Sequence, residues 1–475
     1  MRRVTFAAAI LAALALSPVA SAHGIGSIRD LPVPGWLFYY AAVLVLVVSF
    51  VGLGLLWRRP RLEESDSARP LPTWAQTVLL APALRVALQA ISFALLVLVT
   101  AAALFGENNY DRNVAPTFVY VVFWLGLVPL SVVFGNVWSV LNPWRAAADG
   151  VAWVLARAGV DARPPRTYPE RLGRWPGAIL LFAFAALELA YQHAADPRPL
   201  GGAILLYSGI TWAGMALVGR RAWLQNGEAF SIYFGLLARM SPFTMRAADG
   251  MTEIVARPPL VGLARRRYER PGTLAFVAVM LGSVAFDGFS RTTWWLDRRY
   301  SIEREYAFTN ANLSELLVTA LYLAGLILAV ALVALAYLLA VGAAQAATGP
   351  RQRLAGAFLG SLVPIAVAYV VAHYFSFVVL RGQFAVPLAS DPFGWGWNVV
   401  GTGGYEPNLG LLTPNLVWYV QVAALVIGHV LGLVLAHDRA VSLFRSGRSA
   451  LRAQYALLAL MVLYTVGGLW LLSNG

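Results

Sequence analysis

Long apolar blocks alternate with polar, arginine-bearing stretches along almost the whole chain. The blocks fall near 36–57, 84–106, 115–135, 176–194, 201–219, 272–288, 314–341, 356–380, 413–437 and 452–472. As helices, most are long enough to cross the roughly 30 Å hydrocarbon core of a bilayer. The pattern predicts an all-α fold, a polytopic transmembrane helix bundle of about ten spans forming a single domain over residues 23–475. The 272–288 block is short and contains Asp287.

Residues 1–22 read differently. Met1-Arg2-Arg3 is a charged start, "FAAAILAALAL" is too short for a span, and Ala20-Ser21-Ala22 fits a small-x-small cleavage site. The expectation is a cleaved signal peptide that leaves His23 as the first mature residue, on the outer face. Arginine placement gives the orientation of the rest. The stretch "RRPRLEESDSARP", the loops 136–175 and 220–271, and Arg351, Arg353, Arg439, Arg445, Arg448 and Arg452 fall on one side. The loops "ENNYDRN" and 381–412, on the other side, are poor in Arg, and the loop 289–313 is mixed. This predicts a bacterial cytoplasmic (inner) membrane protein with both mature termini outside. Two inner stretches, "NVWSVLNPWRAAADGVAWVLARAG" and "RAWLQNGEAFSIYFGLLARMSPF", mix aromatics with Arg and are expected to lie along the membrane interface.

Composition agrees with the pattern. The chain is 59% hydrophobic and only 12% charged, against roughly a quarter charged in soluble domains. Its net charge of +13 collects in loops, as orientation requires, so no nucleic-acid partner is implied. Every one of the 36 basic residues is Arg, which excludes a Walker A lysine and a Schiff-base lysine. Without cysteine there are no disulfides, thiolate ligands or attached c-type haem.

Ionisable groups inside spans are costly and mark candidate sites. They are Glu188, Asp287, His373 and His429, with His193 and His437 at span ends. By the helix rise of about 1.5 Å per residue, Glu188, His373 and Gln421 lie roughly 9–12 Å from the outer ends of their spans. Asp287 and His193 lie at outer ends, so all five can face one outer-leaflet cavity, on the side where His23 begins. Glu188, Asp287 and His373 are the candidate catalytic groups. His23, His193, His373, Glu188 and Asp287 are the candidate ligands of a divalent metal such as Zn, Cu or Mn. A free N-terminal His23 would add an amine to its imidazole, and a bound metal would make a nucleophile of water. The alternative is structural: Glu188 and Asp287 paired with Arg291 or Arg298, and His373 bonded to a neighbouring helix. In the loop "ASDPFGWGWNVVGTGGYEPNLG", Trp395, Trp397 and Tyr405 form a candidate substrate lid or an interfacial aromatic belt. His429 sits too far from His373 in depth for both to ligate one haem. Gly428 and Gly432 instead fit close helix packing, and His437 and Asp438 a cap at the inner end of that span.

The segments "AHGIG", "GNVWSVLNPWR", "GEAFSIYFGLLARMSPF", "FDGFS", "AYVVAHYFS" and "GHVLGLVLAHDRA" resemble bacterial polytopic membrane proteins often labelled fenitrothion hydrolase. The similarity runs from His23 to about Ala440. The resemblance implies a membrane-bound enzyme that cleaves aryl phosphotriesters, and it carries over no catalytic residue. Three readings follow. One is a hydrolase in which a metal-bound water attacks phosphorus while the lid holds a small hydrophobic substrate. The second is a transporter or permease for a metal or small hydrophobic solute, with the same groups as binding site or proton relay. Discontinuous helices would favour it, and "GSLVP" at 360–364 is a candidate break. The third is a membrane assembly partner that acts through another subunit.

Overall fold

The computed structural model describes residues 35–474, apart from 66, 161–162, 249–250, 267, 307–308, 350–353 and 445. His23 and the expected signal peptide lie outside the described residues, as do Arg351, Arg353 and Arg445. Every apolar block is helical: α1 (Gly35–Leu56), α2 (Pro82–Phe105), α3 (Val114–Phe134), α5 (Trp175–Leu189), α6 (Pro197–Val218), α9 (Thr273–Ser290), α11 (Ala311–Thr348), α12 (Ala355–Ser390), α13 (Pro414–Leu443) and α14 (Gly447–Asn474). Shorter helices are α4 (Pro143–Arg157), α7 (Arg220–Asn226), α8 (Ala229–Leu237) and α10 (Thr293–Tyr306). Nine of the described helices are long and apolar enough to cross a membrane, and the protein is an all-α multi-pass bundle.

The exception is α5, which is 15 residues long and stops at Leu189 rather than near 194. Asp196 and Pro197 open the next helix, with Pro at its first position, so the intervening residues must turn. At about 1.5 Å per residue α5 rises only about 22 Å. Glu188 therefore sits one residue from a helix end instead of two turns inside.

The perimeter is apolar and exposed. On α11, Leu328, Leu332, Leu335 and Leu339 recur every three or four residues and are all exposed, a stripe that suits lipid. α9 is apolar on all sides, and 72% of its span is buried.

The connections gather at two ends. At one, the α2–α3 turn bonds the 391–413 loop (Glu107 N–H to Phe393 C=O, 2.8 Å), and His193 meets Glu315. The opposite end holds most of the arginines. There β1 (Arg69–Pro70), β2 (Phe243–Ala248) and β3 (Met251–Ala256) form a small antiparallel sheet in the order β1-β3-β2. The Asp249-Gly250 dipeptide between β2 and β3 is the sequence signal for that hairpin.

The two expected interfacial stretches differ. α4 exposes Val151, Trp153 and Val154, as an interfacial helix does. α8 does not lie on the surface: Phe230, Ile232, Tyr233, Phe234, Leu236 and Leu237 are all buried. Its apolar content is that of a core helix, and the aromatic residues that resemble an interfacial belt pack inward. At the Gly360–Pro364 segment a 3-10 turn, Leu359–Ser361, interrupts the α-helical path of α12, which resumes at Leu362 without an open gap. In α3, Thr117–Leu125 is π-helical, which re-aims Tyr120 and Trp124.

Close packing through Gly428 and Gly432 is present. A Cβ at Gly428 would meet the Ala368 Cβ, and one at Gly432 would come within 2.7 Å of the Ser361 carbonyl. At the arginine-rich end, fully buried Asp438 accepts from Trp57 Nε1 (2.9 Å) and from the backbone N–H groups of Arg61, Leu62 and Glu63 (2.6, 3.1 and 2.9 Å). His437 bridges the Trp57 carbonyl and the Gln454 amide, and Arg439 pairs with Glu63 (2.5 Å). The residues expected as a simple cap thus tie the α1–β1 turn to the bundle. Asp438→Ala strands several donors and is expected to cost about 3 kcal/mol or more. Exposed Asp297→Ala should stay within about 0.5 kcal/mol. Unfolding in detergent measures both, and equal losses would rule out Asp438 as the anchor.

Candidate functional site

Asp287 lies near the end of α9, where that helix is enclosed by its neighbours. α12 presents two successive side chains to it. His373 Nε2 and the Tyr374 hydroxyl each lie 2.8 Å from Asp287 Oδ2. One turn on from Asp287, Arg291 donates to Oδ1 from Nε and Nη2, both at 3.3 Å. The carboxylate is thus held by three residues, while most of the Arg291 side chain stays exposed. Burying a carboxylate is tolerable only with such partners.

Glu188, from α5, lies near Tyr374. It lines a cavity of about 10 Å³ together with Trp124, Tyr233, Ser283 and Tyr374. That is on the order of the space one water needs. No hydrogen-bond or ion-pair partner of Glu188 is found among the described residues. A second cavity of about 10 Å³ adjoins His373 and is lined by Gly288, Tyr369, Leu425 and Gly468. The polar groups therefore share one region of the bundle, set in sequence by contact: Glu188 and Tyr374 line the same water-sized space, and the Tyr374 hydroxyl and His373 both bond Asp287 Oδ2.

The remaining candidates stand apart from this group. His193 pairs with Asp196 (Nδ1 to Oδ2, 2.9 Å) and with Glu315 (Nε2 to Oε1, 3.4 Å), joining the α5–α6 turn to the start of α11. The hydrogen bond to Asp196, then the Glu315 charge, raise its pKa above the ordinary imidazole value. Gln421 is half-buried on α13. His429 is buried with Nδ1 2.8 Å from the Leu425 carbonyl and its ring against Tyr369. Trp395 stacks on Phe393 (centroids 4.5 Å) and meets Trp397 edge-on (4.9 Å). Tyr405 donates to Gln383 Oε1 at 3.3 Å. These exposed lid candidates line neither small cavity.

Of the expected ligand set, the structure brings Asp287 and His373 together, places Glu188 near Tyr374, and keeps His193 elsewhere. Among the described residues no three of His, Asp and Glu are grouped to hold a metal ion. The Arg291 guanidinium occupies Oδ1 of Asp287, and His23, the remaining candidate ligand, lies outside the described residues. Arg291 was legible as a partner from its spacing of four after Asp287. Tyr374 and Tyr233 were not, because nothing in their local sequence separates them from core aromatics.

No family model, curated protein or solved structure matches the chain.

The raised pKa of His193 gives a test of its pairing. A raised pKa means that its contribution is complete below the ordinary imidazole value and is lost as pH rises through the raised one. Thermal unfolding across pH is expected to show wild type ahead of His193→Gln at low pH by less than about 1 kcal/mol. The gap should close at high pH, and a pH-independent gap would remove the ion pair from the account.

Proposed function

We propose that the protein is a membrane transporter with a proton relay through Glu188, Tyr374, Asp287 and His373. The observation that carries this reading is this set of contacts: titratable side chains from three membrane-embedded helices, linked by a tyrosine hydroxyl and a water-sized gap. Groups that exchange protons inside a bundle are costly to keep there, and pumps and transporters use them to couple solute movement to protons. Further support comes from α8, a short buried helix set apart from α7 by Gly227 and Glu228, since interrupted helices are a feature of transporter sites. The arginine-rich end faces the cytoplasm in this reading.

The test uses proteoliposomes with a trapped pH dye and an imposed membrane potential. Wild-type protein is expected to pass protons at least tenfold faster than Glu188→Gln or Asp287→Asn, while Trp395→Ala behaves like wild type. Equal fluxes for wild type, both relay variants and empty liposomes would end the proposal.

The His373–Asp287 pair also supports a second reading, the hydrolysis that the resemblance implies. A histidine oriented by a carboxylate is the arrangement of a general base. Release of nitrophenol from an aryl phosphotriester by the reconstituted protein, abolished by His373→Ala, would favour it. Release that persists unchanged in that variant would dismiss it.

A further inference from the structure

The face of α8 turned away from Glu188 borders a second, much larger space. Ser231, Ile232, Gly235 and Leu236 line a cavity of about 810 Å³ at the arginine-rich end. Four exposed arginines, Arg220, Arg221, Arg266 and Arg270, contribute to its wall. Three more, Arg145, Arg174 and Arg239, are half-buried within it. No carboxylate is among the described residues that line it. Asp149 reaches this group and is taken up by Arg145 (3.5 Å) and Arg220 (2.5 Å).

Positive loops at one end of a bundle are expected from orientation alone, but those arginines can sit on the perimeter among lipid headgroups. These seven converge on one cavity, where Asp149 offsets Arg145 and Arg220 and no described carboxylate lines the wall beside the other five. Arg174 shows the effect: burial, then the positive charges of Arg239 and Arg270, push its pKa down to about 10. Its Nε is buried without a hydrogen-bond partner. Tyr268, which also lines the cavity, is only 6% exposed, and its hydroxyl lacks a partner among the described residues. A cavity with this many convergent guanidinium forks matches an anion with several oxygens and more than one charge. Its volume is in the range that encloses a small organic molecule as well.

We propose that this cavity binds a ligand carrying a phosphate monoester or diphosphate group. The group could belong to a soluble phosphate ester or to a phospholipid headgroup, since the recognition chemistry is shared. The proposal does not rest on the proton-relay reading, because binding here needs neither proton flux nor turnover.

Sodium pyrophosphate is the probe, titrated calorimetrically into protein held in phosphatidylcholine nanodiscs, with the lipids retained through purification measured by mass spectrometry. Saturable pyrophosphate binding that weakens with added salt is expected. It should fall at least tenfold in Arg239→Gln and in the rim variant Arg221→Gln, and by less in Arg239→Lys. Thermal unfolding confirms that the variants fold. Binding without any retained anionic lipid assigns the site to a soluble phosphate ester. A phosphate-monoester lipid held by wild type, displaced by pyrophosphate and absent from the Gln variants, assigns it to a headgroup. The proposal is overturned if pyrophosphate binds folded Gln variants as it binds wild type. It is also overturned if wild type binds no pyrophosphate and retains the same lipids as the variants.

Discussion

A bilayer core offers no water to a polar group, so each one must find its partners within the protein. That constraint shapes the whole chain. It makes the spans helical, and it accounts for the buried acids that are fully bonded. Asp438 is held by four donors, and Asp287 by three residues. Glu228, with no exposure, caps α8 through the N–H groups of Phe230 and Ser231. It also accepts from the Tyr207 hydroxyl and the Asn142 amide. Through Glu228 the "NVWSVLNPWR" and "GEAFSIYF" segments become one unit rather than two separate connectors.

Against that background Glu188 stands out. It is half-buried where Asp287 is buried, and it has no bonded partner among the described residues, only a water-sized space shared with Tyr374. Asp287, by contrast, is tied to Arg291, His373 and Tyr374. The two acids therefore have different surroundings although they share a region of the bundle.

α8 divides that region from the arginine cavity. Tyr233 faces the Glu188 space, while Ser231, Gly235 and Leu236 face the arginines. A single short helix thus has acidic chemistry on one side and cationic chemistry on the other.

Much of this was legible in the sequence. Apolar block length follows bilayer thickness, so the helices could be read without contacts. Asp287 and His373 could be assigned to the same half of the bundle by counting residues, though not to the same depth, and Gly428 and Gly432 to a packing face by their spacing. The end of α5 was misjudged because apolarity continues past Leu189, and only the Asp196-Pro197 start of α6 stops the helix. Which acid meets which histidine, that α8 is buried, and that seven arginines from five separated stretches surround one cavity were decided by tertiary structure alone. Those outcomes depend on contacts between residues far apart in the chain, and local hydrophobicity reports how deep a residue lies but not which neighbours surround it there.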